Sequence, residues 1–195
     1  MVKSILVSVA KNGCIGGNNT LLWKQSEDLK RFKSLTLGQI VIMGQKTYES
    51  LPFKPLKNRT NIVISDDPKI NFEGCIMARS IEESLEKAKE VPVDYNNMAG
   101  CSPSEELSYK IYIIGGGSIY RQFIPLVDRL YITRIDAEIE GDTYFPEVDL
   151  DVWEMMFSES HNKDENNEYN YTYEIYQHID PSKDSIVENK KIIRK

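Results

Sequence analysis

The sequence predicts a single α/β domain, in which about four helices flank a mixed but mostly parallel twisted sheet of about eight strands. Its 195 residues suit one domain of ordinary size. Short apolar runs alternate with segments of helical periodicity, as is typical of α/β proteins. The last three apolar runs follow one another without an intervening helix, which indicates an antiparallel pair in that part of the sheet.

Strands are predicted from short apolar or alternating runs, and helices from apolar residues spaced three and four apart. The predicted strands are Ser4–Ala10, Ile40–Met43, Thr60–Ser65, Cys75–Ala78, Lys110–Ile114, Leu130–Ile135, Trp153–Ser158 and Tyr171–Gln177. The predicted helices are Ser26–Leu35, Gln45–Leu51, Ile81–Lys89 and Ser118–Ile124. Ser80 and Glu83 form the S-x-x-E pattern of a capping box at the third helix, and Pro125 ends the fourth.

Two segments are expected to lie outside the compact core. Val91–Ser108 is polar, contains two prolines and a glycine, and indicates a surface insertion. Residues 179–195 form a C-terminal extension that is basic from Pro181 onwards, for which a solvated tail is favoured over a binding arm. The predicted domain therefore covers residues 1–178, with the insertion inside it.

Charge and hydropathy exclude two classes of partner. The net charge of −6 argues against general nucleic-acid binding, which requires a basic surface. The apolar run Ile5–Ala10 is far shorter than the roughly 20 residues that span a bilayer, and no charged stretch and cleavage site mark it as a signal peptide. We expect neither a nucleic-acid nor a membrane partner.

Cysteine and histidine positions argue against disulfide and metal chemistry. Cys14, Cys75 and Cys101 are odd in number and far apart, which favours a reducing, cytoplasmic setting. No Cys/His spacing suits a metal ion, and both His161 and His178 are expected on the solvated surface rather than in a catalytic role.

The sharpest local motif is the run from Ile113 to Tyr120, in which a strand ends, three glycines follow and a helix begins. Glycine allows the backbone to approach a ligand closely, and a helix N-terminus offers free N–H groups to phosphate. The run is not G-x-G-x-x-G. Phosphate binding and a simple tight turn are therefore both open.

A second motif places one carboxylate on an apolar helix face. Ser26 is the predicted N-cap, which puts Asp28 in the first turn, and Asp28, Phe32 and Leu35 share one face. Desolvation would raise the pKa of Asp28, whereas the helix N-terminus would lower it. An ordinary first-turn aspartate that stabilises the helix is an equally good interpretation.

A third motif is a strand with one small polar residue on an apolar face. Alternation puts Tyr131, Thr133 and Ile135 on the same face. A buried hydroxyl needs a hydrogen-bond partner. From the strand alone, the favoured interpretation is a structural threonine whose hydroxyl is hydrogen-bonded, rather than a functional residue.

In combination these motifs resemble the dihydrofolate reductase family over about residues 3–178, without the insertion. The supporting residues are Ile15-Gly16, Leu22-Trp23, Asp28 and Phe32, Val41-Ile42-Met43-Gly44, Lys46-Thr47-Tyr48-Glu49-Ser50, Leu56, Arg59-Thr60-Asn61, Gly115-Gly116-Gly117, Ile135-Asp136-Ala137, Gly141-Asp142-Thr143, Phe145-Pro146 and the strand that begins at Trp153. Each is weak alone, but their order and spacing are specific.

The resemblance implies a dihydrofolate reductase-like fold and NADPH-dependent reduction of dihydrofolate to tetrahydrofolate, for one-carbon metabolism and thymidylate synthesis. Hydride would reach pterin C6, and a proton would reach N5 through water. The implied catalytic residues are Asp28, Trp23 and Thr133, with Asp28 binding the pterin and Thr133 donating to its carboxylate. The protein would be a cytoplasmic monomer that also binds antifolates such as methotrexate.

The resemblance also assigns binding residues. For substrate they are Leu6, Val7, Leu29, Phe32, Leu51, Leu56, Arg59, Ile114 and Tyr120, with Arg59 on the glutamate α-carboxylate. For NADPH they are Ala10, Ile15, Gly16, Gly44, Gln45, Lys46, Thr47, Ser65, Arg79, Gly115, Gly116, Gly117, Ser118 and Ile119. Lys46 and Arg79 would neutralise the 2′-phosphate and reverse the negative field in the cleft.

The loop Ala10–Gln25 resembles the family's mobile lid, which would exclude bulk water. Three residues depart from the family's pattern. Leu22 stands where a proline is usual, Gln45 replaces a common arginine near the cofactor phosphates, and Asp66 adds negative charge nearby.

Two other functions were weighed. A pyrimidine reductase of riboflavin synthesis would share the glycine turn and NADPH, but would not require Trp23 with Asp28, nor Arg59. A catalytically silent nucleotide-binding relative would be expected to lack Asp28 or the glycines, and both are present. No thymidylate synthase segment follows, so the fused bifunctional form is not expected.

Overall fold

The computed structural model describes residues 1–92 and 110–179. The strands are β1 (Lys3–Ala10), β2 (Cys14–Gly16), β3 (Ile40–Gly44), β4 (Thr60–Ile64), β5 (Ile76–Ala78), β6 (Ile111–Ile113), β7 (Arg129–Ile135), β8 (Thr143–Tyr144), β9 (Trp153–His161) and β10 (Tyr171–His178). The helices are α1 (Ser26–Thr36), α2 (Gln45–Ser50), α3 (Ile81–Glu90) and α4 (Gly117–Phe123), with 3-10 turns at Ile124–Leu126 and Leu150–Val152. The predicted insertion beyond Pro92, and the C-terminal extension beyond Ile179, lie outside the described residues.

The main sheet has eight strands in the order β5-β4-β3-β6-β1-β7-β10-β9. The first six strands of this order, from β5 at the edge to β7, are parallel to one another. Strand β10 runs antiparallel to both of its neighbours, β7 and β9. The predicted fold class is confirmed, including the antiparallel region formed by the last three strands.

The parallel strands in the middle of the sheet are buried on both faces because helices cover each of them, whereas the edge strand β9 is exposed over most of its length. Alternate side chains of β1 serve opposite layers: Ile5 packs with residues of α3 and α4, whereas Leu6 packs with residues of α1 and α2. Strands covered in this way read as continuous apolar runs. Among the described residues no helix is long and apolar enough to cross a membrane.

The helix termini confirm one sequence prediction and correct another. The backbone N–H of Glu83 donates to Ser80 Oγ at 3.1 Å, which confirms the predicted cap of α3. The prediction that Ser26 caps α1 is wrong, because the cap position is Gln25 and its side chain makes no capping bond. Instead, Asn167 Oδ1 accepts from the backbone N–H of Glu27 at 3.1 Å, so a distant loop satisfies this helix end.

Two further expectations differ from the structure. The prediction that His178 is solvated is wrong, because its side chain is buried edge-on against Trp153 with ring centroids 4.7 Å apart. The sequence also gave no signal for the small sheet in which β2 pairs antiparallel with β8. Strands of three and two residues are too short to show a period.

Candidate active site

A cleft of about 910 Å³ opens at the carboxyl ends of the parallel strands. This is the edge at which open α/β sheets bind ligands, because the strand ends and helix N-termini converge there. Its walls come from the ends of β1, β3 and β4, from the segment after β6, from helices α1, α2, α3 and α4, and from the loop after β1. Most of the predicted site residues therefore line one connected space.

Asp28 lies in the first turn of α1, half-buried at the wall of this cleft. Thr133, fully buried on β7, donates from Oγ1 to Asp28 Oδ1 at 2.5 Å. Burial raises the pKa of the Asp28 carboxyl above its ordinary value, and the Thr133 hydrogen bond and the nearby Arg31 guanidinium oppose that rise. Desolvation, which was one of the effects predicted for Asp28, is the largest cause of this shift.

Arg31 is a neighbour of this pair that sequence reasoning missed. Its Nη1 donates to Thr133 Oγ1 at 3.4 Å, and its guanidinium lies 4.1 Å from the Tyr173 ring centroid. The signal was present, because residues three apart on a helix share a side and Arg31 follows Asp28 by three.

The glycine turn forms the facing part of the cleft between β6 and α4. An added Cβ would meet Thr47 Oγ1 at 3.2 Å from Gly116, Thr143 Cγ2 at 3.2 Å from Gly117, and Ile119 Cγ1 at 3.0 Å from Gly44. Side chains at these positions would fill the space in which the backbone faces the cleft. The cradle thus fits the pyrophosphate of a dinucleotide, whose oxygens accept from backbone N–H groups at such turns.

Most of the residues predicted to bind substrate come together on one wall. These are Leu6, Val7, Leu29, Phe32, Leu51, Ile114 and Tyr120. The Tyr120 hydroxyl donates to the carbonyl oxygen of Leu6 at 2.9 Å, which ties α4 to β1 across the site. The wall is apolar apart from Asp28 and a few hydroxyl and backbone groups, as expected for a flat heterocycle.

Leu56 and Arg59 instead line a neighbouring pocket of about 480 Å³. Arg59 donates from Nη1 to Thr36 Oγ1 at 3.1 Å and from Nε to the Lys57 carbonyl at 3.1 Å. Its guanidinium lies 5.9 Å from the ring centroid of Phe32, whose side chain also lines the cleft. Phe32 therefore stands between the two spaces.

Four other predicted residues lie behind the cleft surface rather than on it. Thr133 is one, and Trp23 is another, with its Nε1 donating to Ser8 Oγ at 3.2 Å. Ala10 is buried in the same cluster as Trp23. Gly115 has φ +108°, and its carbonyl accepts from the backbone N–H of Gly44 at 2.8 Å.

Comparison with known proteins identifies the family. The family model described as dihydrofolate reductase matches residues 2–178. The chain belongs to the dihydrofolate reductase family. The enzyme of that name from Bacillus subtilis is 38% identical over 180 residues, which cover 92% of this chain and 96% of the relative. That from Neisseria gonorrhoeae is 41% identical over 150 residues, covering 77% of this chain and 82% of the relative.

A solved structure shows the same fold. Dihydrofolate reductase from Enterococcus faecalis, complexed with NADP(H) and RAB-propyl, superposes with a TM-score of 0.78 at 32% identity, covering 92% of this chain and 97% of that one. The dihydrofolate reductase assignment therefore rests on sequence and on three-dimensional similarity.

At the far end of the cleft, two of the predicted cofactor residues, Arg79 and Gln45, are held by hydrogen bonds within the protein. The Arg79 guanidinium donates to the carbonyls of Ser65, Asp67, Pro68 and Ile70 at 2.7–3.3 Å. Gln45 binds Ser65 Oγ and Glu49 Oε1, both at 2.8 Å. Lys46 and Arg79 line the cleft together with Asp28, Asp66 and Glu82, so the two bases do not outnumber the acids.

The predicted lid is folded against β8, which in turn lies against the glycine turn. Its strand β2 pairs with β8, and the backbone N–H of Asn18 donates to Asp142 Oδ2 at 2.8 Å. Of the predicted cofactor residues, Ile15 and Gly16 lie here on the cleft, and Gly44, Gln45, Lys46, Thr47, Ser65, Arg79, Gly116, Gly117, Ser118 and Ile119 also line it. Asp66, which the sequence analysis placed near the cofactor phosphates, also lines the cleft. Lining residues that sequence reasoning missed are Ser8, Gly17, Asn19, Thr20, Leu21, Ser50, Ile64, Ser80, Ile81, Glu82, Gln122 and Thr143. Most of them flank predicted residues or belong to the lid.

Proposed function

We propose that this chain reduces 7,8-dihydrofolate to 5,6,7,8-tetrahydrofolate, with hydride addition at pterin C6 and protonation at N5. The observation that carries the proposal is a half-buried carboxylate, Asp28, on an apolar wall of the same cleft that contains the glycine turn. NADPH supplies the hydride when it is bound. The product serves one-carbon metabolism and thymidylate synthesis.

Asp28 orients the pterin. Thr133 donates one hydrogen bond to Oδ1 of Asp28. The other lone pairs of the carboxylate can accept from the 2-amino group and N3 of the pterin in a forked pair. Such pairing fixes the ring in plane and in rotation, which lowers the entropic cost of reaching the reactive arrangement. Leu6, Leu29 and Phe32 provide the apolar contacts above and below the ring.

Arg59 binds the glutamate end of the substrate. It lies in the pocket next to the pterin wall, and burial lowers the pKa of its guanidinium from the ordinary value, although arginine stays charged. A substrate carboxylate would compensate this desolvated cation in forked geometry. Phe32, between the two spaces, contacts the aromatic ring that links pterin to glutamate.

The residues that would hold NADPH are those of the glycine cradle and the start of α2. Gly116, Gly117 and Ser118 face the pyrophosphate, Thr47 adds a hydroxyl beside Gly116, and Lys46 adds positive charge at the adenosine end. The lid excludes water from the reacting centre by closing over the turn through β2 and β8.

The proton for N5 comes through water. Of the carboxyl groups that line the cleft in the described residues, Asp28 belongs to α1, whereas Asp66 follows β4 and Glu82 lies on α3 at the other end. Because Asp28 is held in the plane of the pterin by its own pairing, it sets the local field rather than contacting N5.

The protein acts as a cytoplasmic monomer, with residues 1–178 as its catalytic domain, and its pterin wall also binds methotrexate. Two observations support this. Cys14 and Cys75 are free, as expected in a reducing compartment, and one chain supplies every group assigned to the site. Size-exclusion chromatography with light scattering tests the monomer directly.

The decisive experiment is the loss of NADPH absorbance on addition of dihydrofolate, with methotrexate as the inhibitor. Methotrexate-sensitive turnover is expected for the wild-type protein. Turnover of a pyrimidine substrate of riboflavin synthesis in place of dihydrofolate would favour the pyrimidine reductase. Binding of NADPH without turnover of either substrate would favour a silent relative, and both results would refute the proposal.

A further inference from the structure

Arg31 lies directly behind the pair formed by Asp28 and Thr133. On α1 it follows Asp28 by three residues, so both side chains project from one side of the helix. Its guanidinium lies above the β7–β10 pair, 4.1 Å from the Tyr173 ring centroid and 6.0 Å from that of Tyr131. Because Tyr173 pairs with Thr133 across the two strands, stacking on this ring brings the cation next to the threonine.

The hydrogen bonds around Thr133 have a fixed direction. Arg31 Nη1 donates to Thr133 Oγ1 at 3.4 Å, and Thr133 Oγ1 donates to Asp28 Oδ1 at 2.5 Å. A guanidinium can only donate, whereas a threonine hydroxyl carries a single hydrogen and can also accept. Because Arg31 donates to a lone pair of Thr133 Oγ1, the hydroxyl hydrogen of Thr133 cannot point toward Arg31. It points toward Asp28 Oδ1 instead.

We propose that Arg31 is a positioning residue of this active site, which holds the Thr133 hydroxyl in the orientation that donates to Asp28. The inference rests on the proposed function for the role of Asp28 itself. The stacked tyrosines keep the guanidinium in place, since a cation over an aromatic face is attracted to it. Arg31 touches neither pterin nor cofactor in this scheme and acts through Thr133.

Other groups that face Asp28 do not replace this role. The Tyr120 hydroxyl from α4 and the Tyr171 and Tyr173 hydroxyls from β10 interact with Asp28, and the pKa of each lies above its ordinary value because of burial. They therefore stay neutral over the range of about pH 5 to 8. Arg31 is the cation whose charge acts on Asp28 and lowers its pKa.

The test compares Arg31→Met with Lys30→Met. Both remove one positive charge from α1, but Lys30 is exposed and paired with Glu27 at 2.6 Å. We expect Arg31→Met to lower kcat/KM for dihydrofolate by roughly threefold to tenfold, because the Thr133–Asp28 hydrogen bond would be weakened rather than lost. We expect Lys30→Met to stay within twofold of wild type. Arg31→Lys, which remains a pure donor, should recover part of the loss.

Two readouts separate this role from a structural one. The acid-side loss of methotrexate affinity, followed by tryptophan fluorescence, should move to higher pH in Arg31→Met, because Asp28 loses support for its charged form. In the Thr133→Val background, Arg31→Met should change kcat/KM less than it does alone, since residues that act through one another are not additive.

The outcomes distinguish this inference from the proposed function. If wild-type protein fails to reduce dihydrofolate, the function is wrong. If wild type is active but Arg31→Met changes neither kcat/KM nor the pH dependence of methotrexate binding, or if its effect is undiminished in the Thr133→Val background, the role of Arg31 is overturned. Should Arg31→Met fail to fold, Arg31→Gln carries the same criteria, because its amide oxygen can accept and so frees the Thr133 hydrogen.

Discussion

Replacement of Thr133 by valine tests the centre of the proposed site. Valine keeps the shape of threonine and exchanges the hydroxyl for a methyl group. Thr133 has 0% exposure, so water has no access to replace the lost donor. A hydrogen bond to a charged group contributes about 1.5–3 kcal/mol. At about 1.4 kcal/mol per tenfold, kcat/KM for dihydrofolate should fall roughly 10- to 150-fold.

Steady-state kinetics at saturating NADPH measures this effect, with KM for NADPH as an internal reference that should not change. The matched control is Thr172→Val on β10, where Oγ1 lies 3.0 Å from Ser160 Oγ in an exposed pair. It should leave kcat/KM within twofold of wild type. A folded Thr133→Val protein with kcat/KM within twofold of wild type would refute the assignment, and an equal loss in Thr172→Val would attribute the effect to strand packing.

The remaining predictions concern the two ends of the site. Asp28→Asn should lower turnover at neutral pH by about 10²–10⁴. Folding raises the pKa of Asp28. Its contribution to the free energy of unfolding is therefore fully present below the pKa of the unfolded state, and it is lost as the pH rises through the pKa of the folded state. Asp28→Asn should therefore raise Tm at pH 7, by about 2–4 °C per kcal/mol, and calorimetry should show this gain shrink as pH falls; a gain independent of pH would contradict it. Arg59→Leu should raise KM for dihydrofolate about 30-fold, for an ion pair of about 2 kcal/mol, whereas Arg121→Leu, exposed on α4, should not; an unchanged KM would place the glutamate elsewhere. Lys46→Ala should erode the NADPH-over-NADH ratio of kcat/KM by about tenfold, and Arg79→Ala should chiefly lower Tm, because it releases four backbone carbonyls. A larger ratio change in Arg79→Ala than in Lys46→Ala would reverse these two roles.

Local patterns predicted most elements of this fold because the parallel strands in the middle of the sheet are covered on both faces. Such strands read as apolar runs, and the four helices carry a clear period. The order of strands was beyond local reasoning, since the position of β6 between β3 and β1 is a contact between distant parts of the chain. The prediction of the N-cap of α1 was wrong for the same reason, since the residue that satisfies this helix end, Asn167, lies 140 residues from Glu27 in the chain.

The candidate site followed from residue types more than from spacing. Asp28 and the glycine turn stand out as one carboxylate and one cluster of small residues, and the resemblance to a family linked them. Arg79 shows the limit of reasoning from residue type. Its residue type suggested a phosphate ligand, but only coordinates reveal that its guanidinium is used by backbone carbonyls. Arg31 was overlooked because its partners lie on β7 and β10 rather than on its own helix.

The small sheet of β2 and β8 connects the lid to the glycine turn. Gly117, at the start of α4, has the Tyr144 carbonyl of β8 within 3.2 Å of where its Cβ would be, and β8 is the partner of the lid strand β2. A ligand bound at the glycine turn would therefore lie next to the strand that holds the lid in place. Side chains added at Gly117 would press on β8 and so disturb the lid as well as the turn.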